Sequence, residues 1–117
     1  MNTQQTAYPF RSKIRLSPLA AAKLKLLLMQ ENAKHPLVIR VILLTTGCRR
    51  SSFGLQMTEI RPEFHTRVEQ GIIFAWLPRE ATWIDGLVID INRENGKFMV
   101  YHPNPPFIPG CTLETID

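Results

Sequence analysis

Cysteine is scarce in this chain: two residues, Cys48 and Cys111, stand 63 positions apart among 117. The fold cannot rest on a disulfide framework of the kind that staples small secreted domains. No apolar run approaches the ~18 residues of a membrane span, so no membrane partner is expected. The first residues, MNTQQTAYPFRSK, contain no apolar core of a secretory signal. These absences together lead to the expectation of a cytoplasmic protein with both thiols reduced at rest. There are no repeats, linkers or low-complexity tracts. No carboxylate pair is placed for acid–base work and no nucleophile triad is visible, so the chain does not read as an enzyme. Asp85 and Asp90 read as loop and strand-edge residues. The net charge of +4 and pI near 9.4 raise the question of nucleic acid. However, the basic residues are scattered (Arg11, Lys13 and Arg15; Lys23, Lys25 and Lys34; Arg49 and Arg50), and no recognised nucleic-acid motif accompanies them. They read as solvated faces.

What is present is an ordinary globular composition, 44% hydrophobic and 21% charged. At this length one domain forms, burying roughly two-thirds of the surface that an unfolded chain exposes. Residues 1–11 are polar and expected to be loose, and residues 12–117 form the domain. Ile14-Arg15-Leu16 reads as a short edge strand. Ser17-Pro18 reads as a helix start, serine capping and proline in the first turn. Ala20, Leu24, Leu27 and Leu28 recur at helical spacing, which predicts an amphipathic helix from about Pro18 to Glu31. Pro36 ends it by disfavouring helical geometry at His35, an exposed loop residue on this reading.

Leu37–Leu44 is an eight-residue apolar run with Arg40 as its only charge. It reads as a strand buried on most of both faces. Thr45-Thr46-Gly47 turns out of it, and Cys48 follows, beside Arg49 and Arg50. A thiol next to two guanidinium groups has its thiolate favoured, because nearby positive charge lowers a cysteine pKa. Beyond this loop, strands are predicted over Phe53–Ile60, Phe64–Glu69, Ile72–Leu77, Leu87–Ile91 and Lys97–Tyr101. Gln70-Gly71 should form a hairpin turn, and Pro78–Thr82 a turn or one helical winding. Trp76 and Trp83 read as core, and His65 as exposed. The pattern is one N-terminal helix and about six short strands after it, an α+β domain that is mainly β. The proline-rich stretch from His102 to Asp117 cannot be a central strand.

Three segments carry a family resemblance. Gly47-Cys48-x-x-x-x-Phe53-Gly54-Leu55 resembles the Gly-Cys-Ser-Gly-Phe-x-Tyr-Gly-Leu segment of the HesB/IscA-like A-type iron–sulfur carriers. Arg50 and Ser51 replace small or aromatic positions there. Asp85-Gly86-x-x-Ile89-Asp90-Ile91 resembles the family's Asp-Gly-x-x-Ile-Asp-Tyr. His102-Pro103-Asn104 resembles its Asn-Pro-Asn, after which the family places Cys-Gly-Cys. In this chain that position holds Pro109-Gly110-Cys111, so Cys48 and Cys111 match two of three family cysteines.

The resemblance implies a compact HesB-like domain of mixed short β-sheets, sandwich- or barrel-like, with one helix. It also implies a homodimer whose Cys48 and Cys111 thiolates hold iron or a [2Fe–2S] cluster for transfer, with apo iron–sulfur proteins and cluster-assembly machinery as partners. An all-cysteine [2Fe–2S] cluster needs four thiolates, and a two-fold dimer would supply them. Other readings stay open at this point. Cys48 reads equally as a small core residue, and the two cysteines as a disulfide or redox pair. His102 reads as a structural residue or as the replacement for the lost ligand. A divergent HesB-like domain without a cluster, serving as an interaction or thiol-redox module, is the alternative.

Overall fold

A computed structural model describes residues 13–31, 34–46 and 51–104. Among these residues, seven strands, one α-helix and one 3-10 helix follow in the order β1 (Ile14–Leu16), α1 (Pro18–Gln30), β2 (Leu37–Thr46), β3 (Ser51–Glu59), β4 (His65–Glu69), β5 (Ile72–Trp76), the 3-10 helix (Pro78–Trp83), β6 (Leu87–Ile91) and β7 (Phe98–Tyr101). They make two mixed sheets, β1-β6-β7 and β3-β2-β5-β4. The architecture is α+β, mainly β, as the sequence pattern implies.

Residue chemistry sets the element limits. Ser17 is extended and its Oγ accepts the Ala20 N–H at 3.1 Å, with Pro18 opening the helix behind it. The helix stops at Gln30, one residue short of the expectation. Its buried side chains are Ala20, Ala21 and Leu24, whereas Leu27 and Leu28 are only half-buried. The small alanines let the helix lie close to β5 and β6.

Gln70 and Gly71 both have positive φ, 51° and 82°, joining Glu69 to Ile72 in a tight hairpin turn. Left-handed geometry is unfavourable for glutamine. Here its Nε2 donates to the Leu16 carbonyl at 2.6 Å, tying the hairpin to the junction of β1 and α1. The strand limits shift by one or two residues from the sequence expectation. β3 begins at Ser51, because Thr46 and Ser51 still pair across the hairpin.

One apolar cluster fills the space between the sheets and under the helix. Ile39 and Val41 of β2 meet Phe53, Ile72, Phe74, Trp76, Trp83, Ile84, Leu87 and Ile89 there. Both tryptophans are in the core, as expected. The second face of β2 is less covered than its sequence suggests: Val38 is buried, Ile42 is half-buried and Leu44 is 60% exposed. His65 also departs from expectation. It sits opposite Trp76 across the β4–β5 pair, half-buried, and the rings meet edge to face with centroids 6.4 Å apart.

Candidate functional site

Cys48 and Cys111, with Arg49, Arg50 and Pro109, lie outside the described residues. What the structure gives is the frame from which they extend. The four residues 47–50 join Thr46 to Ser51, the last pair of the β2–β3 hairpin. Residues 105–117 continue from Asn104, just past β7.

The first part of that frame is a buried carboxylate. β5 runs parallel to β2 only as far as the pairs Ile39↔Phe74 and Arg40↔Ala75, and then leaves it. From that point the β5-side edge of β2 has lost its strand partner. Glu80 takes over. Its Oε2 accepts the Leu43 N–H at 3.3 Å and its Oε1 accepts the Leu77 N–H at 2.9 Å. One side chain thus bridges the strand that leads to Cys48 and the end of the strand that departs. The residue is 5% exposed, and the register of β2 against β3 shifts immediately beyond, between Leu43 and Thr45. Arg40 supplies countercharge, with its Nη2 3.9 Å from Glu80 Oε1 and its guanidinium 5.6 Å above the Phe64 ring. A pair at that separation is a long one, so the two backbone bonds are the stronger tie.

The second part brings two sequence motifs together. Gly86 has φ of +93° and donates its N–H to the Lys13 carbonyl at 2.7 Å, while Asp85 Oδ1 accepts the Lys13 N–H at 3.0 Å. His102 reaches the same turn. Its Nε2 lies 2.6 Å from the Asp85 carbonyl, and its Nδ1 accepts the Asn104 N–H at 3.0 Å. A backbone amide can only donate, so Nδ1 is the acceptor and Nε2 carries the proton. Both ring nitrogens are therefore committed within the turn. His102 is a structural residue here and does not stand free as a replacement ligand. The Asp85-Gly86 and His102-Pro103-Asn104 motifs thus join where the chain leaves for Cys111.

Asp90 lies on β6, where the Ser17 hydroxyl and then the Ile91 N–H hold its carboxyl below the usual carboxylate range. It serves the start of α1. Among the described residues, no group of three or more His, Cys, Asp or Glu side chains could hold a metal ion. Glu80 went unrecognised at the sequence level, although two signals were there. Arg40, alone in an apolar run, needed an anion, and Leu77-Pro78-Arg79-Glu80 has proline and glutamate where a helix start places them.

Among the described residues, two mixed sheets, one α-helix packed on them and a long β2–β3 hairpin make this an IscA/HesB-like fold. In particular, the structure is similar to Escherichia coli SufA, described as involved in biosynthesis of iron–sulfur clusters: 22% identity over 94% of this chain and 95% of SufA, with a TM-score of 0.68. It is also similar to an IscA solved with a [2Fe–2S] cluster, at 21% identity, 79% and 84% coverage and a TM-score of 0.57. An Aquifex aeolicus protein solved by NMR matches at 18% identity, 86% and 100% coverage and a TM-score of 0.53. No protein-family model matches the chain, and no curated protein matches it by sequence.

Proposed function

We propose that this protein is a carrier in iron–sulfur cluster assembly, and not an enzyme. It takes up iron or a [2Fe–2S] cluster on the thiolates of Cys48 and Cys111 and passes it to apoproteins in the cytoplasm. The observation that carries the reading is a fold shared with SufA over 94% of the chain. In sequence, Cys48 falls between Thr46 and Ser51, the last paired residues of the β2–β3 hairpin in that fold.

The donor count supports a homodimer. Each chain offers two thiols, His102 is committed to its turn, and the described residues hold no other donor group of three. Four thiolates then require two copies, and two-fold dimers are the commonest oligomers. Arg49 and Arg50 favour the thiolate form of Cys48 and offset the negative charge of a bound cluster. Cluster-assembly factors and apo iron–sulfur proteins are the partners on this reading.

Anaerobic reconstitution with iron and sulfide tests it. About one [2Fe–2S] cluster per dimer is expected from the four-thiolate requirement. Retention should be lost in Cys48→Ser. A protein that stays colourless, with iron and sulfide removed by desalting, would instead be a cluster-free interaction or thiol-redox module. The two-thiol donor set is the observation that favours this second reading.

A further inference from the structure

Charge in this chain is unevenly distributed. The first 30 residues contain Arg11, Lys13, Arg15, Lys23 and Lys25 and no Asp or Glu, so they carry +5. The other 87 residues hold nine basic and ten acidic groups, a net −1. The whole positive excess of the protein therefore belongs to β1, α1 and the residues before them.

The helix is also apolar on the side turned away from the core. Ala20, Ala21 and Leu24 are buried, yet Leu19 is 46% exposed, Leu26 54% and Met29 80%, with Ala22 exposed between them. Positions 19, 22, 26 and 29 follow the 3-4-3 spacing of one helix face. They form a stripe roughly 15 Å long at 1.5 Å per residue. At 100° per residue, Lys25 falls on one flank of that stripe and Lys23 on the other. Lys25 is exposed; Lys23 is half-buried, donates to the Gly96 carbonyl and lies 5.1 Å over the Phe98 ring. Two carboxylates lie at the ends of the helix: Glu31 just beyond it, and Asp90, which bonds the Ser17 hydroxyl.

This helix is apolar on the face opposite its core as well as toward it, and a contiguous exposed apolar stripe is the mark of an interaction surface. We propose that the Leu19–Met29 face of α1 is a docking surface for an acidic amphipathic helix of another protein. The stripe takes that helix's apolar positions, and the flanking lysines meet its carboxylates. A second copy of this chain fits less well, because it would set lysines against lysines along the same seam. The surface uses neither cysteine, so this inference stands apart from the carrier reading.

The test uses the full-length, ¹⁵N-labelled chain and a synthetic helical peptide with leucine at heptad positions a and d and glutamate at e and g. A matched peptide with lysine for glutamate is the control. The glutamate peptide should shift the amides of α1, with binding that weakens as salt rises, and the lysine peptide should leave them in place. Leu26→Glu with Met29→Glu changes two exposed positions and so leaves the core intact. It should weaken binding by about tenfold or more, through lost apolar contact and added repulsion. Four outcomes would overturn the proposal: no response of α1 to the glutamate peptide, or an equal response to both peptides; binding to anionic phosphatidylserine vesicles without a peptide response; or α1 shifts that depend on protein concentration alone. The last two would assign the face to a bilayer and to self-association.

Discussion

His102 closes over Gly86. The ring nitrogen lies 2.6 Å from the carbonyl of Asp85, and a Cβ placed on Gly86 would stand 3.2 Å from both Cε1 and Nε2 of the imidazole. Glycine is needed here twice over, for its φ of +93° and for the approach of the ring.

Gly86→Ala should therefore destabilise the domain by about 1–3 kcal/mol, the range for a non-glycine residue held in a rare backbone region. Urea unfolding would measure it. Gly96→Ala is the internal comparison, because Gly96 also has positive φ, +73°, but no atom within 4 Å of its would-be Cβ. The Gly86 variant should lose more. Equal losses would mean that the His102 ring moves aside at no cost.

Glu80→Ala should be among the most damaging single changes in the chain. It leaves the Leu43 and Leu77 N–H groups without their acceptor and strands the Arg40 guanidinium. Removing one partner of a buried, hydrogen-bonded charge costs about 3–5 kcal/mol. Glu80→Gln keeps one acceptor oxygen and should cost less. A loss under about 1 kcal/mol in equilibrium unfolding of Glu80→Ala would show that water takes over both amides.

Asp90 provides a pH dependence with a definite sign. Its carboxyl is held below the usual range, first by the Ser17 hydroxyl and then by the Ile91 N–H. The ionised form is the one the fold favours. Its contribution is complete above the unfolded carboxylate value, near 3.9, and is lost as pH falls through the lower folded value. Ser17→Ala should move the Asp90 titration, followed by NMR, back toward the ordinary range. If the titration does not move, the Ser17 contact is not what sets it.

The vacant family position gives a test of register. If Pro109-Gly110-Cys111 corresponds to Cys-Gly-Cys, Pro109→Cys adds a third thiolate per chain beside the cluster. Freeing φ and restoring an N–H would loosen the tail only slightly. Chelator-driven loss of visible absorbance should be slowest in Pro109→Cys, intermediate in the wild type and fastest in Cys111→Ser. Identical rates would place the tail away from the cluster.

Much of the fold was legible because local chemistry and tertiary packing agree. Ser17-Pro18 opens the helix, Gln70-Gly71 turns the hairpin, and both tryptophans enter the core. The resemblance named the Asp85-Gly86 and His102-Pro103-Asn104 segments separately, and the contact of His102 with the Asp85 carbonyl joins them in the fold. What could not be read were side-chain destinations that depend on contacts distant in sequence. Arg40 and the Leu77-Pro78-Arg79-Glu80 run hint at a buried carboxylate, but its place follows from β5 leaving β2 after Ala75, a departure that no local pattern encodes. His65 alternates like an exposed residue, and its packing depends on which strand lies opposite. The second face of β2 looked buried because Ile42 and Leu44 are apolar, yet the described residues leave Leu44 largely uncovered. Cys48 and Cys111 were legible only as positions in a motif, and their chemistry rests on the experiments above.

The pairing of β1 with β6 has a consequence for how the molecule is made. The four strands of the larger sheet follow one another between Leu37 and Trp76, whereas the Lys13–Asp85 bond that anchors β1 spans 72 positions. Such a closure carries a larger entropic cost than the local hairpins and comes later in folding. On the ribosome, β1 and the positively charged helix after it emerge before the larger sheet and β6. They must then wait, without their sheet partner, until β6 has been synthesised.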